Sequence, residues 1–290
     1  MNQQAQANDQ YDELAYYAVA LLDVMGQKAR VRELCGLPTS PAEAKVAAEV
    51  LRDTVGYLRR VRAQFDRIFK TSNTTTPIFD SIPEEKKSLA RSMRSREVTY
   101  RWLSDSLIAT VPLRNENEHC TPMNGVYAMM WASCVVAIAA LANGKSIRGG
   151  IDVGWGVPMG GGEFYGAALE RAYTLESACA EYPRIVVGDE MWNYLVFVEG
   201  QQPTTPFGGL ARNLARECTR LVVEDADGKR VLDLAGPAIR SLGRPTGEDI
   251  FHLAVGNARN HEARFREAGD VRLADRYKKL INLLEAGLKR

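Results

Sequence analysis

The sequence predicts a mixed α/β domain, because short apolar runs typical of buried strands alternate with longer segments of helical periodicity. Hydrophobic residues make up 46% of the 290 residues and charged residues 25%, as in a globular chain with a core. Lys and Arg number 37 and Asp and Glu number 36, so the net charge is +1. So small a net charge argues against nucleic acid and membrane surfaces as partners.

The first elements are an apolar strand and a long helix. The strand is predicted over residues 16–22 and ends at Asp23, immediately before a turn. The helix is predicted to begin at Pro41, because Ser40 and Glu43 have the spacing of a capping box and proline favours the first helical position. This pairing of a strand and a helix begins the α/β pattern.

A hairpin and an apolar helix follow. Two short strands are predicted at residues 98–103 and 107–111, with Asp105 in the bend between them. The uncharged segment Val126–Ala142 is shorter than the roughly 20 residues needed to cross a bilayer, so we expect a buried core helix. That helix is predicted to run from about Met123 to Ala142 and to end at Asn143, which a glycine follows.

The rest of the chain continues the alternation. The predicted elements are a strand at 146–153, a glycine-rich mobile loop at 154–166 without a phosphate role, a helix at 167–181, a strand at 183–187, a helix capped by Asp189, a hairpin around Asp227 and Gly228, and amphipathic helices from about residue 249.

Two aspartates are candidates for metal chemistry because each lies where a strand ends. A carboxylate at the end of a buried strand is costly unless a cation meets it, and oxygen ligands suit Mg²⁺ or Mn²⁺. Alone, Asp23 would be interpreted as a helix cap and Asp105 as a turn residue. As a pair on adjacent strand ends, they favour a two-metal site for displacement at phosphorus. The turn after Asp23 also exposes N–H groups suited to a triphosphate.

Four segments in this order resemble the class III nucleotidyl cyclase domain: LLDVMG, RWLSDSLIATV, IRGGIDVG and FYGAALERAYTLESACAEYPRIVVG. They are most similar to the bacterial pyrimidine cyclases of the Pycsar anti-phage systems, and the likeness spans about Tyr16 to Gly188. The resemblance implies a ferredoxin-like central sheet, mixed or antiparallel, that is flanked by helices and carries a C-terminal helical extension.

The resemblance also implies a division of the chain. A disordered tail would cover residues 1–15, and the cyclase domain would cover residues 16–200 with an insertion at about 71–97. Residues 201–290 would add a C-terminal hairpin and helices to the same domain.

The resemblance assigns roles to individual residues. Asp23 and Asp105 would be the catalytic aspartates that bind two divalent cations, Mn²⁺ or Mg²⁺, and the Val24 carbonyl would join the coordination. The phosphates of a nucleoside triphosphate would lie along the turn formed by Met25, Gly26 and Gln27.

Three departures from the purine cyclases bear on the substrate. Arg101 stands where those enzymes place a base-reading lysine. Glu170 and Thr174 stand where they place a transition-state Asn and Arg, with Arg171 displaced by one position. The separation of Asp23 from Asp105 is also wider. These departures favour a pyrimidine base, for which Arg101 and Tyr57 are candidate readers. For Tyr57, packing on a helix face is the favoured interpretation.

Arg148, in the third matching segment, has two candidate partners. A buried arginine needs an anion. That anion would be either the substrate or a carboxylate such as Asp152.

The resulting hypothesis is a cytoplasmic homodimer that converts UTP to cyclic UMP for a downstream cyclic-nucleotide effector. The alternatives are a cytidylate cyclase that acts on CTP, a degenerate cyclase-like sensor that binds a nucleotide without turnover, and an adenylate or guanylate cyclase. The chain has three histidines and five cysteines without a CxxC pair, so neither zinc nor a disulfide framework is expected.

Overall fold

The central element of the protein is a β-sheet with helices on both faces. The computed structural model describes residues 14–32, 36–74, 83–85, 87–88, 99–103, 105–113, 122–159, 163–240 and 248–290. The strands are β1 (Ala15–Val24), β2 (Thr99–Leu103), β3 (Ser106–Pro112), β4 (Ile147–Met159), β5 (Glu163–Tyr165), β6 (Ile185–Val187), β7 (Val222–Glu224) and β8 (Arg230–Leu232).

The helices connect these strands in the predicted alternation. They are α1 (Gln27–Arg32), α2 (Pro41–Thr74), α3 (Met123–Ala142), α4 (Ala167–Thr174), α5 (Asp189–Gly200), α6 (Pro206–Arg220), α7 (Pro237–Arg240), α8 (Glu248–Glu267) and α9 (Val271–Lys289). Helix α4 continues as a π-helical turn, Leu175–Cys179.

The strand order is β2-β3-β1-β4-β6-β8-β7, with β5 paired to the end of β4. Strand β1 is antiparallel to both β3 and β4, and β2 is antiparallel to β3. This arrangement of β1–β4 around α2 and α3 is the ferredoxin-like split βαβ topology. The predicted fold class, a mixed α/β sheet of this type flanked by helices, is therefore confirmed.

Alternation along β1 separates two hydrophobic clusters. Ala18, Ala20 and Leu22 face the main core with α2 and α3, whereas Val19 and Leu21 face a smaller cluster under α4. Helix α4 therefore covers part of the face of the sheet opposite α2 and α3.

Helix α3 is the central helix of the main core. It begins and ends at the predicted residues, and Gly144 follows it with φ +66°, a conformation that glycine adopts without strain. It is the one described helix long and apolar enough to span a bilayer, and 83% of its most apolar 18-residue window is buried inside the protein. The prediction of a buried core helix is confirmed.

The glycine-rich segment differs from its prediction as a mobile loop. Its first residues extend β4 to Met159, and residues 163–165 form β5 against it. Added side-chain carbons would lie 2.7 Å from the backbone of Ala168 at Gly154 and 2.2 Å from the ring of Phe164 at Gly156. These glycines therefore serve close packing on an extended strand.

Helix α2 begins at Pro41 as predicted, and the Glu43 N–H donates to Ser40 Oγ at 3.3 Å. The predicted insertion lies largely outside the described residues, which include only 71–74, 83–85 and 87–88 of it. Most of the predicted tail also lies outside them, because they begin at residue 14.

Candidate active site

Asp23 and Asp105 meet at one edge of the sheet. Asp23 is the penultimate residue of β1 and lies directly opposite Ser106 of β3. The Val24 N–H donates to the Asp105 carbonyl at 3.2 Å, which fixes the β2–β3 bend beside the end of β1. The structure thus brings together the two aspartates, which are 82 residues apart in the sequence.

The two carboxylates have different surroundings. Asp23 is about one-fifth exposed, accepts a hydrogen bond from Ser106 Oγ at 3.2 Å and lies 3.7 Å from Arg148 Nε. Asp105 is half-buried, and no other described residue forms a hydrogen bond or ion pair with its carboxylate. Two such oxygen donors at one edge have the chemistry that Mg²⁺ and Mn²⁺ prefer.

The turn after β1 is tied to the rest of the sheet. Gly26 adopts φ +83°, and the Met25 N–H donates to the Ser146 carbonyl at 2.9 Å. The Gln27 side chain is buried, and its Oε1 has no hydrogen-bond partner among the described residues. A buried polar atom without a partner is costly, and a polar ligand at this turn would be well placed to remove that cost.

The candidate base readers occupy different layers. Arg101 lies in β2 opposite Ile108, two residues along the strand from the row of paired residues that contains Asp23. Its side chain is outside the described part of the chain. Tyr57 is a residue of α2, and its side chain is buried in the main core. Burial raises the pKa of Tyr57 to about 12. The ammonium group of Lys145 lies 5.8 Å from the centre of its ring.

The positions that match the transition-state pair lie on α4. Thr174 Oγ1 donates to Glu170 Oε1 at 3.0 Å, so these two side chains bind each other. Arg171 donates to the Val153 carbonyl at 3.1 Å and approaches Glu190. Neither arrangement reproduces an Asn and an Arg presented to a substrate.

Arg148 has a partner that the sequence did not indicate. Its Nε makes an ionic contact with Glu176 Oε1, in addition to the longer contact with Asp23. The proposed partner Asp152 instead accepts hydrogen bonds from the N–H groups of Val153 and Met191. The pairing of Arg148 with Asp152 is therefore wrong, and Glu176 and Ser106 are site residues that sequence reasoning missed.

The fold and this edge define a class: a ferredoxin-like α/β domain that carries two carboxylates where its central strand meets a neighbouring hairpin. No protein-family model matches the sequence, and no curated protein matches it. One solved structure that the chain resembles is that of the adenylyl cyclase CyaB from P. aeruginosa, with a TM-score of 0.41 and 13% identity. The match covers 64% of this chain and 83% of that chain.

Proposed function

We propose that this protein is a metal-dependent nucleotidyl cyclase that converts UTP to 3′,5′-cyclic UMP and pyrophosphate. The observation that carries the proposal is the hydrogen bond from Val24 to the Asp105 carbonyl, which holds Asp23 and Asp105 at one edge of the sheet. Carboxylates on two neighbouring strand ends would supply ligands for the metal ions of an in-line displacement at phosphorus. The resemblance of the four sequence segments supports the same activity.

The residues at this edge fit a divalent-cation site. Asp23, Asp105 and the Val24 carbonyl would supply hard oxygen ligands, and the turn from Met25 to Gln27 would lie along the phosphates. Bound Mn²⁺ or Mg²⁺ ions supply charge neutralisation and activation of the ribose 3′-hydroxyl. In the reaction, the 3′-oxygen loses its proton to solvent and bonds to the α-phosphorus. The bond from the α-phosphorus to the α,β-bridging oxygen breaks, and pyrophosphate leaves. The protein then needs no side-chain nucleophile.

We propose that the base of the nucleotide substrate is a pyrimidine. Arg101 in place of a base-reading lysine supports it, because a guanidinium donates to a pyrimidine carbonyl. Tyr57 is the second candidate reader. CTP is the alternative substrate, and adenylate or guanylate cyclisation is a further one. The proposed setting is the cytoplasm, where a homodimer would make a messenger for an anti-phage effector.

A second function, nucleotide sensing without turnover, is supported by one specific observation. The Glu170 and Thr174 side chains bind each other at the positions where related enzymes stabilise the transition state. Two aspartates at the sheet edge argue for catalysis, because binding alone does not require two metal-holding carboxylates.

The test is incubation of the purified full-length protein with each of the four nucleoside triphosphates and Mn²⁺, followed by mass identification of the products. We expect cyclic UMP as the main product, and loss of product in Asp23→Asn and Asp105→Asn. Asp66→Asn is the matched control, because Asp66 forms a surface ion pair with Lys70 on α2. That variant should retain wild-type activity.

Each outcome decides between the functions. Cyclic CMP, cyclic AMP or cyclic GMP as the main product would keep the cyclase and replace the substrate. Tight nucleotide binding without product would establish the sensor. Equal activity in wild type and Asp23→Asn would overturn the proposed site.

A further inference from the structure

Asp23 belongs to a row of three charged side chains that crosses from β1 to α4. Arg148 lies directly opposite Asp23 in the register between β1 and β4. Its Nε is 3.7 Å from Asp23 Oδ2 and is distinctly closer to Glu176 Oε1. Glu176, at 6% exposure, is the most buried of the three side chains. Arg148 is therefore held mainly by Glu176.

Local backbone structure places Glu176 in this row. The turn Leu175–Cys179 is π-helical, and such turns often occur at functional sites. At Gly150 on β4, an added side-chain carbon would lie 2.3 Å from the Ala172 carbonyl and 3.0 Å from the Glu176 nitrogen. The close approach of this turn to β4 requires glycine, and it brings a carboxylate to Arg148.

The charges of the row explain what this placement does. A guanidinium next to a metal-binding carboxylate competes with a cation for the same oxygens. Burial makes an unpaired Glu176 carboxylate costly, so its attraction for Arg148 is strong. The effect is to hold the guanidinium closer to Glu176 than to Asp23, whose Oδ2 lies 3.7 Å from Arg148 Nε.

We infer that Glu176 is a positioning residue that retains Arg148 and thereby leaves Asp23 able to take a divalent cation. The inference rests on the proposed function, because it concerns the metal site assigned there. It extends that proposal to a residue outside the assigned metal ligands and outside the turn assigned to the phosphates. Substitution of residues that orient metal ligands without binding the metal typically lowers metal affinity by about 10–100-fold.

The test is Mn²⁺ binding to the purified full-length protein without nucleotide, followed through the electron paramagnetic resonance signal of free Mn²⁺. We expect Glu176→Gln to weaken binding roughly tenfold, because the amide releases Arg148 toward Asp23. The double variant Glu176→Gln with Arg148→Gln should return to within about threefold of wild type, since the competing cation is gone.

A matched control separates positioning from stability. Asp233 is a second buried carboxylate, paired with Arg290 at 2.7 Å, and Asp233→Asn removes its charge. We expect this variant to lower the melting temperature and to keep wild-type Mn²⁺ affinity. Equal weakening in Asp233→Asn and Glu176→Gln would overturn the inference, as would unchanged affinity in Glu176→Gln.

The same titration separates this inference from the proposed function. If wild type and Asp23→Asn bind Mn²⁺ equally, the metal site itself is wrong. If Asp23 is needed but Glu176→Gln binds normally, only the positioning role is wrong. Should Glu176→Gln fail to fold, the double variant decides, and weak binding in that variant would refute the inference.

Discussion

At the scale of single residues, Asp152 replaces a missing helix cap. Helix α5 begins after Gly188, which has no side chain to accept a hydrogen bond from the first turn. The Asp152 carboxylate, from β4, accepts from the Met191 N–H at 2.9 Å instead. The predicted cap, Asp189, is the first helical residue and pairs with Arg230 at 2.9 Å. The predicted cap is therefore wrong, because a residue distant in sequence takes its place.

We expect Gly188→Ala to destabilise the protein. The added carbon would lie 2.3 Å from the Asp152 carboxyl carbon, so the cap must shift. Loss of a cap and overpacking each cost about 1–2 kcal/mol in the free energy of unfolding. Gly200→Ala at the other end of α5 is the control, because it meets nothing within 4 Å. Urea denaturation measures both, and equal stability of the two variants would contradict the capping role.

Asp152 also predicts a pH dependence. Burial raises the pKa of its carboxyl, so the folded protein holds this proton to a higher pH than the unfolded chain does. As the pH rises above about 3.9, the unfolded chain ionises first and the folded state loses stability. Asp152→Asn keeps the accepting Oδ1 but does not titrate. We expect its melting temperature to rise relative to wild type as the pH increases through this window, and a constant difference would refute the assignment.

At the scale of elements, the C-terminal helices reach the candidate active site. The Tyr277 hydroxyl of α9 is hydrogen-bonded to Ser146 Oγ at 2.9 Å, and the Ser146 carbonyl accepts from the Met25 N–H. The ring of Tyr277 stacks on His261 of α8, with centres 4.9 Å apart. Helices α8 and α9 thus support the turn where the phosphates are proposed to lie.

We expect Tyr277→Phe to loosen that turn. The variant keeps the ring stack and removes one buried hydrogen bond, worth about 0.5–1.5 kcal/mol. Hydrogen exchange at the Met25 amide should therefore be faster than in wild type, as measured by mass spectrometry. Tyr173→Phe, at an exposed tyrosine of α4, should leave this exchange unchanged. Unchanged exchange in Tyr277→Phe would show that the helices do not support the turn.

Patterns of several residues explain which elements were predictable. The limits of α3 follow from its long apolar run and from the Asn143–Gly144 stop. Strand β4 extends past its predicted end. Its residues Gly154 and Gly156 allow Ala168 and Phe164 to pack closely against it, and no local sequence pattern shows this packing.

The candidate site was predictable only in part, for the same reason. The aspartates were identified from the strand ends, whereas Glu176 was missed. A signal was present, since Glu176 continues the buried spacing of Ala168 and Ala172 along α4, and a carboxylate there requires a partner.

At the scale of the whole molecule, the described residues place two aspartates at one edge of the sheet and supply no Asn–Arg pair on α4. The resemblance implies that two subunits share each site, so we predict a homodimer with C2 symmetry. Light scattering should give twice the chain mass of 32.1 kDa. Specific activity should also fall as dilution separates the subunits. A monomer with constant specific activity on dilution would contradict the shared site.

The central claim is that the edge formed by Asp23 and Asp105 cyclises a nucleoside triphosphate. Phosphorus-31 nuclear magnetic resonance of UTP with Mg²⁺ and the full-length protein tests it most directly, because it reports every phosphorus product at once. We expect a cyclic phosphodiester signal and pyrophosphate in equal amounts, both absent in Asp105→Asn. Formation of orthophosphate or UDP without a cyclic product would contradict it. Unchanged spectra for all four nucleoside triphosphates would contradict it as well.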